Sequence, residues 1–466
     1  MRSIASRINA TRIAVAIGIF AAALAAPPRT VHAQDADVAI VGGLLIDGNE
    51  GTPIENAVIL IKNGKITHVG QVGVTQIPRG ARVINANGMS VLPGLIESHA
   101  HLMIIGHGDY LEYFPKYESR IMSGEILRLS ARQLVWAGVT TARDLAAPLK
   151  PSVMVRDEIA RGEVLGPRMF VSGDFIVRSY GVYPSYFQIK VNSPEEARAA
   201  AIRLLDGGAD MLKPWGPINH EDLAPIVEEA KKRGKTVATH GGAYARIKAD
   251  VDAGVTSIEH FQGAGRKPIE DESIQLILNS GTWVVPSWNG GDIYHWTLKN
   301  PERLDHPLLR EFLPADIYAD IRGSLDHFQR LSYFRGGKAS PMTQREKLMQ
   351  MYRAGVKIAL GTDSGTPMNF HYEAMWQQMQ LWVEYGMEPM HVIAAATRNG
   401  AELLGQHGSF GTIEPGKFAD IIVVDGNPLT NMMALRDPVW VLKEGKVLKE
   451  NRRLVEPARG ARPSGE

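Results

Sequence analysis

The chain has 466 residues, of which 44% are hydrophobic and 22% are charged, a balance typical of a soluble globular protein with room for one large and one smaller domain. The formal net charge of +1 indicates no surface for nucleic acid or anionic membrane. Cysteine is absent from the sequence, which excludes disulfides, a thiolate nucleophile and thiolate metal ligands.

The first 33 residues have the pattern of a secretory signal peptide. Three arginines among the first twelve residues precede an apolar run over 13–26, and residues 31–33 fit the small-x-small rule for cleavage. The run is short for a transmembrane helix, which needs about 20 residues. The sequence therefore predicts export to the periplasm or the medium and no membrane attachment after the signal is removed, with an uncleaved anchor as the alternative.

Both ends of the remaining chain are rich in short strands. Residues 34–91 contain apolar segments separated by turn signals, among them Asn63-Gly64, which predicts a hairpin. Residues 406–450 have the same texture. We therefore predict one small β-sandwich domain built from 34–91 and 406–450, followed by a disordered tail over 451–466.

The middle of the chain, residues 92–405, alternates short apolar strands with helical patterns. Eight strand–helix repeats predict an α/β fold, a (β/α)₈ TIM-like barrel. An open doubly wound sheet is the alternative, disfavoured because no Gly-x-Gly-x-x-Gly follows the first strand. An aromatic and proline-rich insertion, 288–345, separates the seventh and eighth strands and is predicted to form a lid. The predicted strands end near His99, Arg143, Ser172, Lys213, His240, His260, Ser287 and Asp363.

Polar side chains of metal-binding type end five of these strands. His99 and His101 are two residues apart, so they point to the same side of the first strand. Lys213 ends the fourth strand, and the other three residues of the set end the fifth, sixth and eighth. In a barrel all these positions converge on one mouth. Each residue alone has an ordinary structural explanation, but six together indicate a metal site. The set is His99, His101, Lys213, His240, His260 and Asp363.

The segments around these residues resemble the amidohydrolase superfamily of metal-dependent hydrolases. Their order and spacing are most similar to the imidazolonepropionase-related branch, which includes Xaa-Pro dipeptidases and ochratoxin-type amidases. The resemblance covers nearly the whole mature chain. The matching segments are 93–101, 138–144, the Lys213 segment, His240-Gly241, 258–260, 360–363 and 416–423.

The resemblance implies a centre with two divalent metal ions. His99, His101 and Asp363 would hold one ion. His240 and His260 would hold the other, and Lys213, carboxylated on its amine, would bridge them. A lysine ammonium cannot bind a cation, but the neutral amine can add CO₂ to give an anionic carbamate with two oxygens. A centre rich in histidine favours zinc, with cobalt, manganese or iron as alternatives.

The expected activity is hydrolysis of an amide C–N bond in a small molecule, such as an N-acyl amino acid, an Xaa-Pro dipeptide or a carbamate or amide xenobiotic. A metal-bridged hydroxide is expected to attack, with Asp363 as the proton shuttle. The same site could instead act on a lactone, an ester or a phosphotriester. A non-catalytic binding protein is a third hypothesis, disfavoured because all six predicted ligands are present.

The substrate-binding residues are sought in the loops after the strands. Ser179–Pro184 stands where related dipeptidases carry Gly-Gly-His, a departure that puts a dipeptide substrate in doubt. A small-molecule substrate is the only partner predicted besides the metals, and a homo-oligomer is left open. The candidates for substrate contact are Arg178, Tyr180, Tyr183, Tyr244, Arg246, Trp288 and His371.

Overall fold

A computed structural model describes residues 35–180, 183–216, 218–241, 244–260, 268–287, 289–330 and 341–457. The predicted signal peptide lies outside these residues. Within them, no helix is both long enough and apolar enough to cross a bilayer.

The strands are short and fall into three groups along the chain: a first β-rich segment, a middle segment and a last segment. They are β1 (Val38–Val41), β2 (Leu44–Leu45), β3 (Ile54–Glu55), β4 (Ala57–Lys62), β5 (Lys65–Gln71), β6 (Arg82–Asn85), β7 (Met89–Pro93), β8 (Leu95–Ala100), β9 (Val139–Asp144), β10 (Arg168–Val171), β11 (Phe175–Val177), β12 (Gln188–Lys190), β13 (Met211–Leu212), β14 (Thr236–His240), β15 (Ser257–Glu259), β16 (Trp283–Val285), β17 (Ile421–Asp425), β18 (Trp440–Lys443), β19 (Lys446–Glu450) and β20 (Arg453–Leu454).

The helices lie between the strands of the middle segment. They are α1 (Tyr110–Met122), α2 (Glu125–Trp136), α3 (Leu149–Arg161), α4 (Pro194–Asp206), α5 (His220–Lys232), α6 (Tyr244–Ala253), α7 (Asp271–Ser280), α8 (Asn289–Lys299), α9 (Pro307–Phe312), α10 (Ala315–Ser324), α11 (Pro341–Ala354), α12 (Ala374–Tyr385), α13 (Pro389–Ala395) and α14 (Arg398–Leu403). Short 3₁₀ helices cover Ser185–Phe187, Pro301–Asp305, Leu325–Arg330 and Met432–Arg436.

Strands from both ends of the chain share one sheet. The first sheet has the order β5-β4-β1-β6, and the second has the order β20-β19-β18-β17-β7-β2-β3. In the second sheet β7 pairs antiparallel with β17, with Val91 opposite Val423. Buried side chains of early and late strands, such as Ile59 and Leu442, belong to one apolar cluster. The two β-rich ends therefore pack together, and their assignment to one β-sandwich domain stays a prediction.

The predicted hairpin and the predicted tail have different outcomes. β4 and β5 pair antiparallel around Asn63 and Gly64, whose φ angles of 49° and 77° fit a tight hairpin turn. The tail prediction begins too early, because β20 pairs with β19 around Asn451 and Arg452, which also have positive φ angles of 50° and 61°. Because the residues around this turn are polar, the sequence gives no sign of the second hairpin that β19 and β20 form. Residues 458–466 lie outside the described part.

The middle strands pair in parallel. β8, β9 and β10 form one parallel sheet, and β13, β14, β15 and β16 form another. Isolated bridges join further segments: Ile176 to Pro214, Val284 to Ile358, and Ala100 to Ser364. The segment predicted as the eighth strand therefore pairs with β16 on one side and with β8 on the other. The middle of the molecule is an α/β structure.

Local capping explains where the intervening helices begin. Ser193 accepts a hydrogen bond from the N–H of Glu196, and Pro194 occupies the first helical position of α4. Asn219 caps α5 in the same way, through the N–H of Asp222. These caps fix the first residues of α4 and α5.

The insertion between β16 and the eighth segment is helical in its described part. Asp320 of α10 accepts hydrogen bonds from Lys116 and Tyr117 at 2.5 and 2.9 Å and lies 3.1 Å from Nε2 of His107. On the other side, Arg303 donates to the carbonyl oxygen of Met368 at 2.8 Å. The insertion therefore contacts the loops that follow His101 and Asp363, and these contacts hold it beside the strand ends. Its role as a lid, for which residues 331–340 lie outside the described part, stays a prediction.

Candidate metal centre

The predicted histidine and aspartate ligands lie together at the carboxyl ends of the parallel strands. The ring centroids of His99 and His101 are 5.2 Å apart, those of His99 and His260 are 4.4 Å apart, and those of His240 and His260 are 4.5 Å apart. Oδ1 of Asp363 is 3.1 Å from Nε2 of His101 and 3.6 Å from Nε2 of His99. Its Oδ2 is 3.9 Å from Nδ1 of His260. One ligand atom each of His99, His260 and Asp363 lies within 4.8 Å of the other two, a spacing at which the three could hold a metal ion.

Lys213 is buried beside this cluster. Its side chain is 1% exposed, and its Nζ has no hydrogen-bond partner among the described residues. Burial lowers the pKa of Lys213 to about 8. Burial and then the charge of Lys213 lower the pKa of His240 to about 3. A neutral amine is therefore accessible near neutral pH, the form that can react with CO₂.

The centre leaves several buried polar atoms unsatisfied within the described part of the chain. Nε2 of His99, Nδ1 of His240 and Oδ1 of Asp363 make no hydrogen bond there, nor does Nζ of Lys213. Buried polar atoms are rarely left unpaired, because each costs free energy. Imidazole nitrogens and a carboxylate oxygen are ligand atoms for zinc and similar ions. The donor set therefore fits divalent metal, and the lysine fits as a carbamate.

Glu259 fixes the orientation of His99, a role that the sequence analysis missed. Its Oε2 accepts a hydrogen bond from Nδ1 of His99 at 2.7 Å, which leaves Nε2 of that ring for a metal. Its Oε1 accepts from Arg143 at 2.5 Å and from the hydroxyl of Ser257 at 2.6 Å. Ser287 lies 2.7 Å from Nδ1 of His260 and orients that ring. Glu259 directly precedes His260 in the sequence. Because side chains alternate in direction along a strand such as β15, the sequence indicates only that the environment of Glu259 differs from that of its neighbour.

The first and eighth segments are held together at the centre by Glu97 and Gly361. Oε1 of Glu97 accepts from the N–H groups of His99 and Thr362, both at 2.9 Å, and Oε2 accepts from the Thr362 hydroxyl at 2.5 Å. A Cβ atom on Gly361 would lie 2.7 Å from Cβ of His99, so only glycine permits this approach. The positions of His99 and Asp363 are therefore fixed by the same contacts.

Two residues of the centre have an uncommon backbone conformation. His260 and Asp363 have φ angles of 62° and 56°, in the left-handed region that residues with a side chain rarely adopt. The backbone N–H of Asp363 donates to the carbonyl oxygen of His99 at 2.7 Å, and that of His260 donates to Val285 at 2.9 Å. These bonds hold both residues at the ends of their segments with the side chains directed into the centre.

Two of the predicted substrate-binding residues contact the segment of Trp215 and Gly216, and the ring centroid of Trp215 lies 6.1 Å from that of His240. Arg246 donates to Asp250 and to the carbonyl oxygens of Gly216 and Ile218, while its Nη2 is buried without a partner among the described residues. Its charge contributes, after burial and Lys213, to the lowered pKa of His240. Tyr183 is half-buried, and burial followed by the charge of Asp363 raises its pKa.

The other predicted substrate-binding residues are placed differently. Arg178 forms a bidentate ion pair with the buried carboxylate of Asp222, and its contact with substrate stays a prediction. His371 is fully buried, and its two nitrogens lie at hydrogen-bonding distance from Ser364 and Ile104, which leaves neither nitrogen for a substrate. Tyr180 is 53% exposed, and its contact with substrate stays a prediction. The side chain of Tyr244 and the whole of Trp288 lie outside the described part.

Comparison with known proteins identifies the family. The amidohydrolase family model matches residues 90–448. Ochratoxinase from Aspergillus niger is 27% identical to this chain, over 89% of the chain and 88% of its own length. The crystal structure of a Xaa-Pro dipeptidase with bound methionine has a TM-score of 0.70 at 26% identity, covering 88% of this chain and 99% of its own. Molinate hydrolase has a TM-score of 0.72 at 25% identity, with coverage of 88% and 94%.

The chain belongs to the amidohydrolase family. The fold of that family is a TIM-like barrel, and its members include enzymes that hydrolyse carbon–nitrogen bonds with a divalent metal. The protein is accordingly an enzyme, a hydrolase of this family.

The contacts of Glu259 lead to a testable prediction. In Glu259→Gln the hydrogen bond to His99 can persist but its charge is lost, so we expect metal affinity to fall roughly 10- to 100-fold. Metal content after dialysis against a competing chelator measures this. Glu229→Gln is the matched control, because Glu229 is also a buried glutamate that pairs with arginine, on the far side of α5. Equal metal retention in both variants would contradict the role of Glu259.

Proposed function

We propose that this protein is an exported binuclear metal-dependent hydrolase that cleaves an amide bond of a small molecule. The observation that carries the proposal is the buried cluster of four imidazoles, one carboxylate and an unpaired lysine amine. His99, His101 and Asp363 are assigned to one divalent ion, with zinc as the first choice. His240 and His260 are assigned to the second, and a CO₂-derived carbamate on Lys213 bridges the two; the full set is His99, His101, Lys213, His240, His260 and Asp363.

The proposed architecture is a closed (β/α)₈ barrel over 92–405 with a β-sandwich from 34–91 and 406–450. Closure is supported by bonds at the three places where the parallel sheets are interrupted. The N–H of Asp210 donates to Val171 at 2.8 Å, that of Val284 donates to Lys357 at 2.9 Å, and that of Ser98 donates to Leu360 at 3.0 Å. A closed ring would direct all the strand ends named above to one mouth.

Three residues of the chain are assigned separate roles in the proposed hydrolysis. Bound metals would lower the pKa of water and polarise the substrate carbonyl. Asp363 accepts the proton of the attacking water and transfers it to the leaving nitrogen, so the bond to nitrogen breaks as a neutral amine departs. Glu259 holds the tautomer of His99. The hydroxyl of Tyr183, which burial keeps protonated, is available as a hydrogen-bond donor to the substrate.

The proposed substrates carry a carboxylate near the scissile amide, as N-acyl amino acids and Xaa-Pro dipeptides do. Arg246 supports this choice, because its Nη2 is buried with no hydrogen-bond partner among the described residues, while its Nε donates to Asp250. Burial has already removed the solvent from this donor, so a carboxylate there would gain a charge-assisted hydrogen bond. Carbamate and amide xenobiotics are the neutral alternative within the same reaction class.

Metal removal followed by a substrate panel tests the proposal. We expect chelation to abolish activity, and zinc, cobalt or manganese supplied with bicarbonate to restore it. The panel sets N-acyl amino acids and Xaa-Pro dipeptides against lactones, esters and phosphotriesters. Rates confined to the second group would favour the same centre acting on another bond. Protein that contains no stoichiometric metal, and remains inert after reconstitution, would support a non-catalytic binding protein instead.

The proposed setting of the reaction is the periplasm or the medium. The basic and apolar pattern of residues 1–33 supports export, and the near-neutral charge supports a small-molecule substrate without nucleic acid or membrane as a partner. A homo-oligomer is compatible with this proposal. The location is tested by separating a cell culture into periplasm, medium and membranes and detecting the protein in each fraction. The N-terminus of the mature protein is expected near residue 34.

A further inference from the structure

A cavity of about 460 Å³ lies between the insertion, the end of α2, the start of α12 and the last segment of the chain. Each of these four parts contributes to its lining: His306 precedes α9, Trp136 ends α2, Trp376 belongs to α12, and Arg436 ends the last 3₁₀ helix. None of the described lining residues is a proposed metal ligand. Sites for small molecules have volumes of about 300 to 1,000 Å³. We call this space the insertion cavity.

Aromatic rings form the walls of the insertion cavity. Four of its described lining residues carry a ring, namely Trp136, His306, Tyr372 and Trp376. Tyr372 is stacked on His306, with ring centroids 5.7 Å apart and planes at 28°. Behind the walls, Phe312 lies 6.0 Å from the ring of Tyr372 and 5.6 Å from that of Trp136. Buried rings held in this way bind a flat apolar group with little loss of side-chain freedom.

The charged side chains that line the insertion cavity differ in their partners. Glu373 forms an ion pair with Arg303 of the insertion. Asp437 forms one with Lys449 at 2.8 Å. Arg436, in contrast, forms no ion pair with any residue that the structure describes, and it is exposed on the cavity side of the last segment. The two negative charges are therefore neutralised, and one positive charge of the lining is not.

The contact between Arg436 and His306 brings two hydrogen-bond donors together. Nδ1 of His306 accepts from the N–H of Leu308 at 3.3 Å, and burial lowers the pKa of this ring, so the neutral ring carries its hydrogen on Nε2. Nη2 of Arg436 lies 3.4 Å from that Nε2. A guanidinium can only donate, so neither N–H satisfies the other. A carboxylate, with two acceptor oxygens, would receive both N–H groups.

The same cavity is unfavourable for a cation. Nζ of Lys449 lies 3.7 Å from the ring centroid of Trp136, and the guanidinium of Arg436 lies 5.9 Å from that of Trp376. A cationic ligand would therefore approach these rings against charges of its own sign. An anion with a flat apolar body meets complementary groups instead, because its charge faces Arg436 and its body faces the rings.

We propose that the insertion cavity is a binding site for an aromatic monocarboxylate, separate from the metal centre. The carboxylate is received by Arg436 and by the Nε2–H of His306, and the aromatic ring of the ligand packs among Trp136, Tyr372 and Trp376. Such a ligand contacts the insertion, α12 and the last segment at once, and its binding should raise the melting temperature of the protein. The inference goes beyond the proposed hydrolysis and does not depend on it.

Isothermal titration calorimetry of the metal-loaded protein tests the site with probes that contain no bond to hydrolyse. Phenylacetate has the ring and the charge, 2-phenylethanol has the ring without the charge, and acetate has the charge without the ring. We expect phenylacetate to bind roughly tenfold more tightly than either of the other two. Phenethylammonium, which reverses the charge, should bind no more tightly than 2-phenylethanol.

Substitutions of Arg436 separate this site from the metal centre, where a carboxylate can also bind. Arg436→Gln should lower the affinity for phenylacetate to that of 2-phenylethanol, and Arg436→Lys should retain most of it because the charge remains. Arg82→Gln is the matched control, since Arg82 also lies over a tryptophan ring, that of Trp440, but pairs with Glu450. It should leave the affinity unchanged. Melting temperature and metal content are measured for each variant.

A variant of the wall tests where the ring of the probe lies. Trp376→Ala should weaken phenylacetate roughly tenfold and leave acetate unchanged, because only the first probe packs on that side chain. The inference would be overturned if the wild-type protein bound phenylacetate no better than acetate or 2-phenylethanol. It would also be overturned if Arg436→Gln or Trp376→Ala kept the wild-type affinity for phenylacetate, since the probe would then bind elsewhere, as at the metal centre.

Discussion

Lys213→Ala is expected to lower hydrolysis by at least three orders of magnitude, which corresponds to about 4 kcal/mol of transition-state stabilisation. The lysine amine is buried and unpaired among the described residues, and burial lowers its pKa to about 8. Without it no carbamate can form, so one proposed bridging anion is lost and metal content should fall as well. Steady-state rates and metal analysis of the purified variant measure both effects.

The control for this variant is another buried lysine. Lys449 is fully buried and burial also lowers its pKa to about 8, but its Nζ donates to Trp136 and Asp437 at 3.0 and 2.8 Å, away from the centre. Lys449→Met should leave metal content unchanged and affect stability alone. Short carboxylic acids supplied with metal should partly restore Lys213→Ala, because they replace the bridging oxygens. Near-normal activity of Lys213→Ala without such acids would rule out the bridge.

Asp363→Asn is expected to retain most of the metal but to lose turnover by roughly 10²- to 10⁴-fold. The amide oxygen can still approach His101 and His99, whose Nε2 atoms lie 3.1 and 3.6 Å from Oδ1 in the wild-type protein. It cannot accept the proton of the attacking water. Measurements of kcat at saturating substrate, together with metal content, separate the two functions.

Asp174→Asn provides the comparison for Asp363→Asn. Asp174 is also a buried carboxylate after a middle strand, but its Oδ1 accepts a hydrogen bond from the N–H of Leu149 at the start of α3. An amide oxygen can replace that acceptor, so kcat should change little. If Asp363→Asn kept the turnover of the wild-type protein, the proton-transfer role of Asp363 would have to be abandoned.

The sequence predicts the middle of the fold well because its signals are local. Apolar runs that end in a polar residue correspond to β8, β14 and β15, and the cap at Ser193 marks the start of α4. The position of the ligand candidates follows from the same runs, since parallel strands bring their carboxyl ends to one edge. The predicted disordered tail begins too early because the hairpin turn at Asn451 and Arg452 contains no glycine, so its sequence resembles that of a polar coil.

The residues that support the centre could not be predicted in the same way. Glu259 meets His99 across 160 positions of sequence, and Asp320 meets His107 across 213. Such contacts depend on how the strands and the insertion pack, which leaves no periodic signal in either segment. The ion pair of Arg178 could not be predicted for the same reason, because its partner Asp222 belongs to a helix 44 positions later in the chain. Substrate contacts are the least predictable part, since loops carry them.

The left-handed backbone conformation of His260 and Asp363 lowers the stability of the protein at two residues whose side chains the proposed activity requires. Each such residue costs roughly 1 to 2 kcal/mol relative to an ordinary conformation, and glycine would remove that cost. Glycine, however, offers no imidazole or carboxylate. Substitution of either residue by glycine should therefore raise stability and at the same time remove a proposed metal ligand. In directed evolution of this protein, stabilising changes should be sought in the two β sheets and the outer helices, where they do not compete with the centre.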